Sequence, residues 1–326
     1  MSAAPRYLHL DGFPTEAPPN DGRPYFEFDP QGAWRISQGS ALLDVETVCV
    51  ELHSAFKQAI MKGVPYDDLV YRLPPFVSIA GHNSEAPISR VIFEKALVET
   101  AAFPELNRFL YLYDCQHLVA SIQECAKEIE QLVGEFYFTF NTESFFYPPM
   151  KHQDGLRYSS SPVTTKLSAY LSFIFVRMHS LLDYTVKVAI EAEHLRRDFR
   201  KYPRLSSLSA QYGDRKRVSF NGEAGTLFES CEFLITVETL RNHIIHDGLL
   251  DDMPKAYERI EGGVAVEKFV LLPDMTGGRF DRSVNRNLFF GGEDRINLRL
   301  PALVAEFQSR QVETLTRVMS ILGAMA

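Results

Sequence analysis

The stretch TTKLSAYLSFIFVRMHSLLDYTVKVAIEAEHLRRDFR, Thr164 to Arg200, decides the fold class. It holds no Gly or Pro, and its N-terminal half is apolar almost all round, the pattern of a helix buried between neighbours. Its most apolar run, Leu167 to Val176, ends at Arg177, far short of the roughly 20 residues needed to span a bilayer. Beyond Glu193 the stretch turns basic.

Amphipathic segments flank it on both sides. Val45, Val48, Cys49, Leu52, Phe56 and Ile60 make one helical stripe, stopped by Gly63 and Pro65. Ser84 or Ser89 caps a short helix running to Thr100, and Pro104 ends that segment. Leu118, Ile122, Ala126, Ile129 and Val133 mark a helix over 116–138. Residues 139–163, with Pro148 and Pro149, read as a loop. A helix over 226–246 is closed by Asp247 and Gly248, and a last helix covers 301–322. Val264 to Leu272 reads as a strand, with Leu288 to Phe290 as its partner.

The expected fold is mainly α, a helical bundle with an N-terminal extension and a small β element near the C-terminus. Its parts are an extended arm over 1–40, an N-terminal helical region over 41–160, a helical core over 161–255, and a β element with a C-terminal helix over 256–326. Pro24 and Pro30 leave the arm room for one short strand, Tyr25 to Phe28. Phe26, Phe28 and Trp34 are expected to pack it down.

With 326 residues, 45% hydrophobic and 12% aromatic, the chain can build a large core and is not a disordered polymer. Nineteen glycines and four cysteines exclude collagen-like and disulfide-scaffold classes. The net charge of −8 argues against a globally basic coat for nucleic acid. Cys49, Cys115, Cys125 and Cys231 form no CxxC pair, so reduced, mostly buried thiols are expected. The N-terminus has no apolar signal-peptide region, and a cytoplasmic protein without membrane contact is expected.

One local pattern suits chemistry: Leu240-Arg241-Asn242-His243-Ile244-Ile245-His246-Asp247-Gly248. On a helix, Glu238, Asn242 and His246 share one polar row, with Arg241 on its flank. Phe233, Val237, Leu240 and Ile244 fall on the opposite side, toward the core. A guanidinium grips phosphate bidentately and keeps its charge, and an imidazole moves its proton near neutral pH. Together they fit acid–base work on a phosphodiester. A structural alternative pairs Arg241 with Glu238 and makes His246 a helix C-terminal group favoured by the dipole.

Arg-Asn-x-x-x-His at a helix end resembles the motif of the HEPN superfamily. The likeness covers roughly residues 164–250. It implies an all-α bundle acting as a metal-independent endoribonuclease without cofactors, in a toxin–antitoxin or phage-defence setting. It also implies catalytic Arg241 and His246, with Asn242 and Glu238 orienting them. Asp183, on the earlier long helix, is the acidic residue that such domains often turn toward the motif. A homodimer is implied as well, with an antitoxin or regulatory protein as a further partner. In the subgroup paired with a nucleotidyltransferase antitoxin a Tyr sits two residues after the His; here Gly248 stands there, so modification of a motif tyrosine is not expected.

Between His194 and Arg217, eight basic residues (Arg196, Arg197, Arg200, Lys201, Arg204, Arg215, Lys216, Arg217) face two acids, Asp198 and Asp214. The segment is either a solvated loop or an RNA-backbone contact, with Tyr202 and Tyr212 either packing inward or stacking on bases. Gly81-His82-Asn83-Ser84 reads as a polar turn, and His152 with Asp154 lacks a third metal ligand. No P-loop, GxGxxG, HExxH or GxSxG occurs. The leading expectation is an RNA endonuclease leaving 2′,3′-cyclic phosphate ends. The alternative is a non-catalytic helical module that binds a nucleotide or a protein.

Overall fold

Strands of two to six residues stand here beside helices of up to 37 residues. The computed structural model describes residues 6–146 and 153–325, so Pro148, Pro149 and His152 lie outside the described residues. In chain order the elements are β1 Tyr7–His9, β2 Tyr25–Asp29, β3 Ala33–Ile36, α1 Leu42–Ile60, α2 Tyr66–Arg72, α3 Phe76–Ile79, α4 Arg90–Glu99 and α5 Leu106–Thr142. They continue with β4 Gly155–Ser159, α6 Pro162–Glu193, α7 Glu232–His246, β5 Ala256–Glu261, β6 Val264–Phe269, β7 Met275–Thr276, β8 Arg279–Phe280 and α8 Ile296–Met325.

Among the described residues about 51% are helix and 13% strand, the strands forming three antiparallel sheets ordered β1-β2-β3, β4-β5-β6 and β7-β8. This corrects the expectation of a mainly α bundle: the fold is mixed α/β. The strands escaped the sequence pattern because they are short and most have no clean alternation of buried and exposed residues.

The chain divides into two units, the first formed by residues up to 43, 125–180 and 229–310 and the second by 44–124, 181–228 and 311 onward. In the first unit, the expected arm is a three-stranded sheet. Phe26 stacks on Tyr137 at 4.4 Å and Trp34 on Phe138 at 5.7 Å, whereas Phe28 is exposed. Gly134 permits this approach, since a Cβ there would sit 2.6 Å from the Trp34 carbonyl oxygen. Asn141 closes the contact, accepting from the His9 N–H and donating to its carbonyl, both at 2.9 Å. α8 begins at Ile296, and Pro301 lies within it. Lacking an N–H, Pro301 leaves the Asn297 carbonyl without its helical donor, and the Tyr137 hydroxyl donates there instead.

Also in the first unit, β6 pairs with β5 across a Gly262–Gly263 turn, and β5 pairs with β4 from the segment expected as loop. Residues 288–290 form no strand; the Phe289 carbonyl accepts the Asp274 N–H at 2.6 Å and the Phe290 carbonyl the Glu293 N–H at 3.3 Å. α7 starts at Glu232, six residues later than its apolar pattern suggested.

The second unit carries the expected α1 stripe, with Val45, Val48, Cys49, Leu52, Phe56 and Ile60 all buried. Ser89, not Ser84, caps α4, its hydroxyl accepting the Ile92 N–H at 3.3 Å. α6 stops at Glu193 although the sequence pattern runs to Arg200, because competing acceptors draw the following backbone away. The Arg196 N–H donates to the Tyr111 hydroxyl at 3.1 Å, and that hydroxyl donates to the buried Glu191 carboxylate. Ser207 donates to the same carboxylate from its N–H at 2.9 Å and from its hydroxyl at 2.8 Å.

Candidate functional site

α7 ends where the sequence reading placed its motif. The N–H groups of Asp247 and Gly248 both donate to the His243 carbonyl at 2.9 Å, and Gly248 takes φ 136°, so the chain leaves the helix there. Leu234, Val237, Leu240 and His243 form the buried side of the helix. Asn242 and His246 stand on the exposed side.

The β7–β8 hairpin packs against the start of α7. Gly278 at its turn takes φ 77°, and a Cβ there would meet the Glu232 carbonyl oxygen at 2.5 Å. The chain then runs through an irregular loop from Asp281 to Gly292. Asp274 pins its far end, accepting from the N–H groups of Gly291 at 2.7 Å and Gly292 at 2.9 Å. Ser283 and Arg286 close a tight turn by two backbone hydrogen bonds, at 2.9 and 3.0 Å. Val284 sits in that turn at φ 54°, almost fully exposed, a strained conformation for a β-branched residue.

Helix end and loop enclose two cavities with shared walls. One, of about 550 Å³, is lined by His243, Asp247, Gly248, Leu249 and Asp252 from the helix side and by Arg282 to Leu288 from the loop. The other, of about 350 Å³, is lined by Thr239, Asn242, His243, Asp247, Arg279, Phe280 and Arg282. Arg279, Arg282 and Arg286 are exposed and have no side-chain hydrogen bond or ion pair among the described residues. Amides of Asn242, Asn285 and Asn287 complete a lining rich in donors.

His243 is the buried polar group between the cavities. Its Nε2 lies 3.0 Å from the Leu249 carbonyl oxygen, which can only accept, so that nitrogen carries the proton. Its Nδ1 lies 3.3 Å from Asp247 Oδ2, out of hydrogen-bond alignment, and its ring meets Phe280 edge-on at 5.1 Å.

The expected site residues separate. Asn242 lines the smaller cavity, and Arg241 Nη1 donates to Asn242 Oδ1 at 2.9 Å. Arg241 has no ion-pair partner among the described residues, so the alternative Arg241–Glu238 pair is not formed. His246 lies one turn beyond Asn242, exposed, and makes no side-chain hydrogen bond among the described residues. Asp183 belongs to the second unit, where its Oδ1 accepts the Tyr212 N–H at 2.7 Å.

The basic segment also lies in the second unit. Arg200 is paired with Asp198, Arg217 with Asp214 at 3.7 Å, and Arg196 Nε donates to the Arg204 carbonyl at 3.0 Å. Arg215 lies over the Tyr212 ring at 4.0 Å. Arg197, Lys201, Arg204 and Lys216 have no side-chain partner among the described residues. Tyr212 is buried, donating to the Leu227 carbonyl at 2.6 Å. The Tyr202 hydroxyl donates to Asp114 Oδ2 at 2.7 Å, and burial holds its pKa above the ordinary phenol value. Tyr212 therefore packs inward, whereas Tyr202 stays 40% exposed with its hydroxyl tied to Asp114.

Asp154 accepts the N–H groups of Gly262 and Gly263, each at 3.0 Å, which lowers its pKa, and so serves the β5–β6 turn. Among the described residues, no group of three or more His, Cys, Asp or Glu is arranged to hold a metal. None of their helices is long and apolar enough to cross a membrane. Sequence reasoning missed His243, Arg279, Arg282 and Arg286. The sequence signal for the three arginines was the run Arg279-Phe-Asp-Arg282-Ser-Val-Asn-Arg286-Asn287, three arginines and two asparagines in nine residues. No family model, curated protein or solved structure matches this chain.

Proposed function

We propose that this chain is a metal-independent endoribonuclease of the HEPN type, with its reaction centre at the end of α7. One observation carries the reading: the helix end that bears Arg241 and His246 lines, through Asn242 and His243, cavities where three arginines have no partner among the described residues. Unpaired guanidiniums around a cavity favour an anion that brings its own negative charge. In the proposed step His246 takes the proton of a ribose 2′-hydroxyl, whose oxygen attacks the adjacent phosphorus. The bond to the 5′-oxygen of the next nucleotide breaks, and that oxygen leaves as a hydroxyl after taking a proton from water, the hydroxide so formed being neutralised by the proton that His246 gives up. The products are a 2′,3′-cyclic phosphate and a 5′-hydroxyl. Arg241 stabilises charge on the phosphate oxygens. A homodimer joining two such helix ends would double the available groups.

A second reading has its own support. His246 lines neither cavity, so the site could hold a nucleotide without cutting RNA. RNA incubated with the protein and EDTA separates the two. Cleavage that disappears in a folded His246→Ala protein supports the nuclease. Intact RNA with retained binding supports the binding module.

A further inference from the structure

We propose that Arg279, Arg282 and Arg286 seat successive phosphates of a single-stranded RNA backbone along the two adjoining cavities. The proposal rests on the nuclease reading for its ligand class. Arg282 lines both cavities, Arg286 lines the larger one only and Arg279 the smaller one only. The guanidiniums are thus strung along one path with Arg282 in the middle, as a ligand with repeated charges requires. No carboxylate neutralises any of them among the described residues, although the whole chain is acidic at −8.

The rest of the lining narrows the ligand. Asp247 and Asp252 lie in the same walls and repel a compact polyanion. They suit a ligand whose charges are spaced and separated by hydroxyl and amine donors, as ribose and base edges are. Asn285 and Asn287 offer amides that both donate and accept, fitting base edges. The larger volume, about 550 Å³, is in the range of pockets that hold a ligand of nucleotide size. The strained Val284 turn fixes the segment that carries Arg282 and Arg286, and such strain clusters at binding sites.

The test uses a fluorescein-labelled hexanucleotide of 2′-O-methyl RNA, which lacks the attacking hydroxyl, read by anisotropy in EDTA. Arg282→Ala should weaken binding about tenfold, and Arg279→Ala and Arg286→Ala should each weaken it less. Arg282→Gln repeats the test with the side-chain bulk kept, and circular dichroism checks the fold of each variant. Wild-type affinity in folded Arg282→Ala and Arg282→Gln overturns the proposal, as does an intact protein that does not bind the probe. Inorganic tripolyphosphate competing as well as RNA overturns the backbone assignment. Unmodified RNA left uncut while probe binding depends on Arg282 defeats only the nuclease reading. Cleaved RNA with Arg282-independent binding defeats only this inference.

Discussion

Eight basic residues crowd the segment from His194 to Arg217, and half of them are engaged at home by carboxylates, a carbonyl or a ring. The loop from Arg279 to Asn287 holds three arginines, and none of them has a side-chain partner among the described residues. In sequence the first region looks the better anion site. In the fold, that region still leaves Arg197, Lys201, Arg204 and Lys216 without a side-chain partner among the described residues, but none of them lines the two cavities, whereas the second region brings all three of its arginines to their walls. A count of local charge records how many cations a segment has; only the structure records which of them line a cavity.

The largest effects should come from the helix end. If the reaction centre lies there, His246→Ala should lower the cleavage rate at saturating RNA by about 10²–10⁴-fold with the fold intact. Arg241→Lys should be nearly as damaging as Arg241→Ala, because lysine keeps the charge and loses the bidentate fork. Neutralising Arg197, Lys201, Arg204 and Lys216 together should leave that rate within about threefold, since none of the four belongs to the helix end. A large rate loss in that last variant would erase the distinction between the two regions.

Stability separates the regions next. Glu191 is fully buried and holds Tyr111 and Ser207, and through Tyr111 the Arg196 backbone. Glu191→Ala leaves buried donors without an acceptor and should cost about 3 kcal/mol by urea unfolding. A loss below about 1 kcal/mol would mean that the basic segment is not anchored there. Gly278→Ala should cost about 2 kcal/mol, from the left-handed backbone and the contact with the Glu232 carbonyl. It should also weaken RNA binding, because the same hairpin carries Arg279.

Salt dependence of RNA binding gives a finer comparison. Arg282→Ala with Arg286→Ala should reduce the slope of log K against log salt by about 1.4, at about 0.7 per single-strand contact. Removing Arg196, Arg197, Arg200 and Arg204 together should change it by less than about 1, because Arg196 and Arg200 are already engaged. The reverse ranking would return the backbone contact to the 194–217 segment.

Helix positions were legible wherever a stripe survives without interruption: the α1 stripe is buried residue for residue, and the motif does close α7. The sheets were not, for a physical reason. β4 is mostly exposed at a sheet edge, and β7 and β8 are two residues each, so no period-2 pattern could form. α6 seemed longer than it is because its end is set by the distant Tyr111 hydroxyl, which bridges Glu191 of α6 to the Arg196 N–H, and no local pattern reports that bridge. At the site, Arg241, Asn242 and His246 were visible because they share one helix. His243 was hidden among the apolar positions of that helix, and Arg279, Arg282 and Arg286 meet it only through a hairpin and a strained turn.

The smallest expected effect concerns pH and the anchoring of the basic segment. Tyr202 is tied to Asp114, which also lies 3.1 Å from His82 Nε2, and His82 stacks on His117 at 4.6 Å. Burial lowers the His117 pKa from 6.5, and the neighbouring His82 lowers it further, with Asp114 opposing both. The folded protein therefore resists a proton that the unfolded chain accepts near pH 6.5. Unfolded chains bind more protons than folded ones in that window, so stability falls as pH drops below about 6.5 and levels off below the folded pKa. His117 keeps a solvent-exposed face beside its buried one, so screening limits the loss to a fraction of a kcal/mol. His117→Asn should flatten this part of the stability curve between pH 7 and pH 5, measured by urea midpoints. An unchanged slope in that variant would show that the His82–Asp114–Tyr202 cluster tolerates the proton on His117, and that this anchor of the basic segment is insensitive to mild acid.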